Sequence, residues 1–138
     1  MILTRTDTAA TLDLPDDLHW QDEPWSPVVQ RVEWSLTGAL IVEEASKLAG
    51  RPMTLAGYSN GGEQGGTITL ATATALLAWS AVPALEMTLV RLGITHSITW
   101  RHEGDSAVTY TPVFYWLNTT GDAALDPLQV PVLRFWVL

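Results

Sequence analysis

Apolar and polar residues alternate with a period of two through much of this chain, the pattern that sends successive side chains to opposite faces of a strand. The clearest run is Val28 to Leu36. Val28, Val32, Trp34 and Leu36 share one face, interrupted by Gln30, and Val29, Arg31, Glu33 and Ser35 share the other. Leu40 to Ala45 alternates again. A three-residue loop, Thr37-Gly38-Ala39, predicts a hairpin with Trp34 buried opposite Val42 and Ile41 on the polar face. Gly38 supplies the left-handed conformation such a loop needs. A turn over Ser46 to Gly50 leads to a third strand, Pro52 to Tyr58.

The remaining segments are read in the same way. Ile2 to Leu14 alternates weakly and predicts an edge strand. Residues 13–27 form an acidic loop with three prolines, five carboxylates, Trp20 and Trp25, and residues 59–66, with four glycines, read as a mobile loop. Thr67 to Leu70 is a short strand. Thr72 caps a helix from Ala73 to about Val82, ended by Pro83, with Trp79 packing it on the sheet. After a transition over Met87 to Leu92, Ile94 to His102 and Ser106 to Trp116 pair around a turn at Glu103-Gly104-Asp105, and Asn118 to Asp126 is a loop. Leu128 to Leu138 is apolar on both faces, and Pro131 marks it as an edge or a bulge. Many short strands with one helical interruption predict an α+β fold, mainly antiparallel β: a compact β-sandwich or partly closed barrel with one packed α-helix.

Composition sharpens this picture. At 138 residues, positions 1–138 make a single domain. Without cysteine, disulfides and thiolate-bound zinc are excluded. The formal net charge is -8 and Lys47 is the only lysine, so nucleic acid and anionic membrane surfaces are not expected partners. The most apolar window, Ala75 to Val90, is interrupted by Ser80, Pro83 and Glu86 and is too short to insert through a bilayer. Only 16% of residues are charged and the mean hydropathy is +0.15. A chain with so little charge is expected to bury apolar surface against other chains. The candidate interface residues are the loop aromatics Trp20 and Trp25, Ile41 on its polar face, and Phe135, Trp136 and Leu138 of the final strand.

Catalytic motifs fare poorly on inspection. Gly57-Tyr58-Ser59-Asn60-Gly61 matches the nucleophile elbow G-x-S-x-G, which requires a helix directly after the serine. The following Gly61-Gly62-Glu63-Gln64-Gly65-Gly66 is a poor helix former, and no convincing acid and histidine follow in order. The same glycines lack a phosphate-binding lysine. His96 and His102 share a strand face but start about 20 Å apart, too far for one metal ion. The carboxylates of the acidic loop lack the ligand order of a calcium loop. No catalytic, cofactor-binding or metal-binding residue is therefore assigned, and no cofactor is expected.

The stretch WSPVVQRVEWSLTGALIVEEASKLAGRPMTLAG (Trp25 to Gly57), the upstream PDDLHWQDE (Pro15 to Glu23) and the later Ala/Leu helix occur in an order that resembles small structural proteins of tailed-phage tails and baseplates. The resemblance covers roughly Pro15 to Arg101 and includes no catalytic motif. It implies a non-catalytic virion component near the distal tail, assembled in the host cytoplasm, sitting in a homo-oligomeric ring and touching neighbouring tail proteins. The alternative reading is a small ligand- or carbohydrate-binding β-domain that uses its loop aromatics.

Overall fold

The computed structural model describes residues 1–60, 63–113 and 128–138. In chain order they form β1 (Ile2–Arg5), β2 (Thr11–Asp13), β3 (His19–Trp20), β4 (Val28–Trp34), β5 (Leu40–Ser46), β6 (Arg51–Ala56), β7 (Tyr58–Asn60), β8 (Glu63–Gly65), β9 (Ile68–Thr69), α1 (Leu70–Ser80), β10 (Glu86–Arg91), β11 (Ile94–Trp100), β12 (Val108–Pro112) and β13 (Leu128–Val137). The predicted strand end at Trp116 and the loop over Asn118 to Asp126 lie outside the described residues.

Every described ladder is antiparallel, so the chain is α+β and mainly antiparallel β, as the alternation predicted. The main sheet runs β2-β1-β10-β11-β13-β6-β3, with β12 and β9 also paired to β13. It is not closed into a barrel, because β2 and β3 stand at its two ends without meeting. Period-two alternation sends Leu3, Met53, Leu55, Met87, Leu89, Ile98, Trp100, Leu133 and Phe135 into one buried core. Trp100 stacks on Phe135 with ring centroids 4.6 Å apart. Helix α1 seals this core with Ala73 and Leu76. Trp79 packs half-buried against it beneath the Arg5 guanidinium.

Several elements differ from expectation. The helix begins earlier, because the hydroxyl of Thr69 rather than that of Thr72 caps it, accepting from the Thr72 N–H at 3.3 Å. The stretch over Met87 to Leu92 is mostly a full strand, β10, joined to β11 by a two-residue turn. Leu92 and Gly93 of that turn lie at φ 50° and 78°.

The final strand is central, not an edge: β13 pairs with β6, β9, β11 and β12. The carbonyl of Pro131 accepts from the Gly57 N–H. In a strand a residue's N–H and C=O point to the same side. The donor that proline lacks would therefore have faced Gly57, just past the end of β6, so the loss falls outside the β6 ladder.

Segment 59–66, read as a loop, forms part of a small hairpin in which Tyr58 to Asn60 pair with Glu63 to Gly65.

The largest correction concerns β4 and β5. They form a two-stranded sheet of their own. Ser35 N–H donates to Ala39 O, Gly38 sits at φ 82°, and Trp34 opposes Leu40 rather than Val42. The loop is thus five residues, Ser35 to Ala39, and the register moves by two. A shift of two preserves faces, so Ile41 remains on the polar side, opposite Glu33. Trp34 is not buried: it is 71% exposed, because among the described residues no second layer covers the hairpin.

Candidate protein interface

Every residue of β4 and β5 is exposed. Among the described residues these two strands pair with each other and with no other strand. They form an arm seven residues long, which at the usual strand rise is roughly 23 Å. Val28, Val32, Trp34, Leu40 and Val42 lie on one of its faces, Val29 and Ile41 lie on the other, and Leu36 is fully open at the tip. Such a concentration of apolar side chains in solvent is more than a lone domain usually exposes. A lone two-stranded hairpin is also marginal in water, so covering the arm would stabilise it.

The arm is fixed at its root. Lys47 N–H donates to Pro27 O at 2.8 Å, and Lys47 Nζ donates to Ser26 O at 3.0 Å. The Lys47 ammonium lies 5.1 Å from the Trp25 ring. Just before the arm, Asp22 clamps the chain to β6. Its Oδ1 accepts from the Thr54 N–H at 2.7 Å and its Oδ2 from the Thr54 hydroxyl at 2.9 Å. Arg101 closes the cluster: Nη2 donates to Thr54 Oγ1 at 2.7 Å, and Nη1 sits 3.5 Å from the Asp22 carboxylate. Burial pushes the Asp22 carboxyl up, but hydrogen bonds to it, led by the two from Thr54, together outweigh that and hold the group below the usual carboxylate range.

Trp20 forms a second root contact. Its ring meets His96 edge-on at 5.7 Å, with Arg51 stacked 4.2 Å from its centroid and Arg91 at 5.7 Å. Burial, together with the positive charges of Arg51 and Arg91, pushes the His96 imidazole below its ordinary value. Arg51 Nη2 also donates to Glu23 O at 2.5 Å, which ties β6 to the start of the arm.

The predicted interface residues separate into two groups. Trp20 is 4% exposed and Phe135 is fully buried, so both are core residues and present no surface. Trp20 lies inside because β3 adds to β6 and turns the ring inward; Phe135 alternates onto the core face of β13. Trp136 is half-buried beneath Arg101, Trp25 is half-buried against Lys47 and Arg51, and Ile41 and Leu138 are exposed. With Trp20 inside, that loop tryptophan offers no free stacking face, and Lys47 and Arg51 already lie beside the Trp25 ring.

The alternation predicts Trp34 buried against Val42, yet Val28, Val32, Trp34, Leu36, Leu40 and Val42 are all exposed. A usable signal was present. The hairpin is bracketed by Pro24 and Pro27 on one side and by Gly50 and Pro52 on the other, chain breakers that isolate it from the sheet.

The chemical candidates fall apart in space. Ser59 is exposed on β7 and pairs with Gln64 of β8, so no helix follows it and the elbow geometry is absent. His102 is exposed and His96 half-buried. Among the described residues no three histidines or carboxylates converge on a metal position. No helix among them is long and apolar enough to cross a membrane. No protein-family model, no curated protein and no solved structure matches this chain.

Proposed function

We propose that this chain is a non-catalytic assembly protein, a structural component of a phage tail or baseplate that is built in the host cytoplasm and carried in the virion. The observation that supports the reading is the arm: a hairpin exposed on both faces, rich in valine and leucine, with no core of its own. Such an arm suits a protein whose neighbours supply the missing layer, in a homo-oligomeric ring and against other tail proteins. The order of features from Pro15 to Arg101, which resembles small tail proteins, adds the phage context. The Asp22 and Trp20 contacts at the root fit the same role, because an arm that transmits load between subunits needs a stiff anchor.

The test is quantitative mass spectrometry of phage particles purified from the source strain, alongside particles carrying a chain with residues 28–46 replaced by a short Gly-Ser turn. A tail component is present at fixed copy number in the first and missing from the second. Absence from intact particles refutes the reading.

A further inference from the structure

In an antiparallel ribbon, directly opposed residues share a face. One face of the arm therefore carries four rows: Val28 with Ser46, Gln30 with Glu44, Val32 with Val42, and Trp34 with Leu40. The other carries Val29 with Ala45, Arg31 with Glu43, and Glu33 with Ile41. On the first face the two long polar side chains satisfy each other, Gln30 Nε2 donating to Glu44 Oε1 at 2.5 Å.

We propose that this first face pairs with the same face of a second copy of the chain, the two arms pointing in the same direction. The inference rests on the assembly reading above and names one partner within it.

The order of the rows decides the geometry. A twofold axis along the arm lays β4 of one copy over β5 of the other, so each row meets its own counterpart. Trp34 covers Leu40 of the second copy, Val32 covers Val42, and Gln30 covers Glu44. A glutamine amide has two donors, one already on its own Glu44 and one left for the Glu44 opposite. Turning one arm around sets the Gln30 and Glu44 row on the valines of the next row, where a carboxylate is desolvated without a partner. With the two faces in full overlap, the parallel arrangement alone is complementary. The second face, with Arg31 already bonded to Glu33, is left to solvent. Three glutamates against one arginine also make the arm a poor ligand for an anionic lipid surface.

Area sets the strength. A two-stranded face roughly 23 Å long and 10 Å wide covers well under the ~800 Å² per partner of a standard interface. Pairing is therefore weak between free copies and fills only where other contacts hold copies close, as multivalent assembly does.

The experiment is sedimentation equilibrium of the full chain across concentration, with Val32→Lys and Val42→Glu made singly and then mixed. Each variant alone weakens self-association by at least about tenfold, because a charge enters an apolar row. The mixture recovers it, because the new ammonium and carboxylate face each other across the parallel pair. Circular dichroism of the body stays unchanged, since the arm supplies no core residue. The cysteine-free sequence also allows a single spin label at Thr37→Cys, in the exposed tip, which places the two tips side by side in the parallel pair.

A chain that remains monomeric at millimolar concentration, or variants that fail to complement, overturns the self-pairing. If arm deletion then still removes the chain from phage particles, the assembly reading stands and the arm serves a different protein. If self-pairing holds but particles lack the chain, the phage reading fails and this inference survives.

Discussion

Replacing Asp22 by alanine removes the acceptor at the root of the arm, and the structure sets the size of the effect. The Thr54 N–H is left buried without a partner, since Thr54 is 8% exposed and Asp22 Oδ1 is its acceptor. An orphaned buried donor costs about 1–3 kcal/mol, and loss of a hydrogen bond to a charged group adds about 1.5 kcal/mol or more. Arg101 loses its carboxylate, though its Nη2 bond to Thr54 remains. The expected loss for Asp22→Ala is roughly 2–4 kcal/mol, against roughly 1–2 kcal/mol for Asp22→Asn, which keeps one acceptor. Urea unfolding at pH 7 measures both, with Asp17→Ala, an exposed carboxylate of the same segment, as the control expected within about 0.5 kcal/mol of wild type.

The pH dependence adds a second check. The folded-state pKa of Asp22 lies below its unfolded value, so its stabilisation is present above about pH 4 and is lost as pH falls through the folded value. The gap between wild type and Asp22→Ala should hold at pH 5 and shrink toward pH 2. A loss below about 0.5 kcal/mol at pH 7, or a gap indifferent to pH, would refute the clamp.

Four further outcomes are expected. Phe135→Ala should cost about 3–5 kcal/mol in global unfolding, while Trp34→Ala shifts the same transition by less than about 0.5 kcal/mol; more than 1 kcal/mol for Trp34 would couple the arm to the core. His96 has a folded pKa below its unfolded value of about 6.5, so stability should fall as pH drops from 7 through 6.5 toward the folded value, and His96→Gln should flatten that slope; equal slopes contradict the assignment. Leu92 is 76% exposed at positive φ, a turn position that favours asparagine, so Leu92→Asn should stabilise the fold by about 0.5–1 kcal/mol in thermal melts, and a loss would mean that Leu92 has packing partners. A fluorophosphonate probe should leave Ser59 unlabelled; stoichiometric labelling abolished by Ser59→Ala would show a nucleophile after all.

The strands were legible because their period is local, whereas their surroundings were not. Alternation from Val28 to Trp34 announces a face that prefers cover, but it does not say whether that cover is the same chain. The hairpin register slipped by two because Ser35 and Leu36 joined the loop, which the Ser35 hydroxyl closes by accepting the Ala39 N–H. Asp22 read as one acid among five because its partners, Thr54 and Arg101, lie far along the chain. Pro131 suggested an edge because a missing donor disfavours a central strand, and only the neighbours of β13 reveal that the donor would have faced Gly57, just beyond the end of the β6 ladder.

The central place of β13 also governs the order in which the molecule takes shape. A hairpin such as the arm needs only near neighbours in sequence and closes within about 1–10 μs. The main sheet cannot be completed until the last described strand arrives to bind β6, β9, β11 and β12, whose residues emerge from the ribosome well before it. Long loops must close before those pairings return any free energy, which slows folding of the body. A nascent chain thus displays its apolar arm while its body is still open, so the arm pairing proposed above, if it forms, would compete with folding. Synthesis rate and chaperone supply would then control the yield of properly assembled copies as much as the stability of the finished fold.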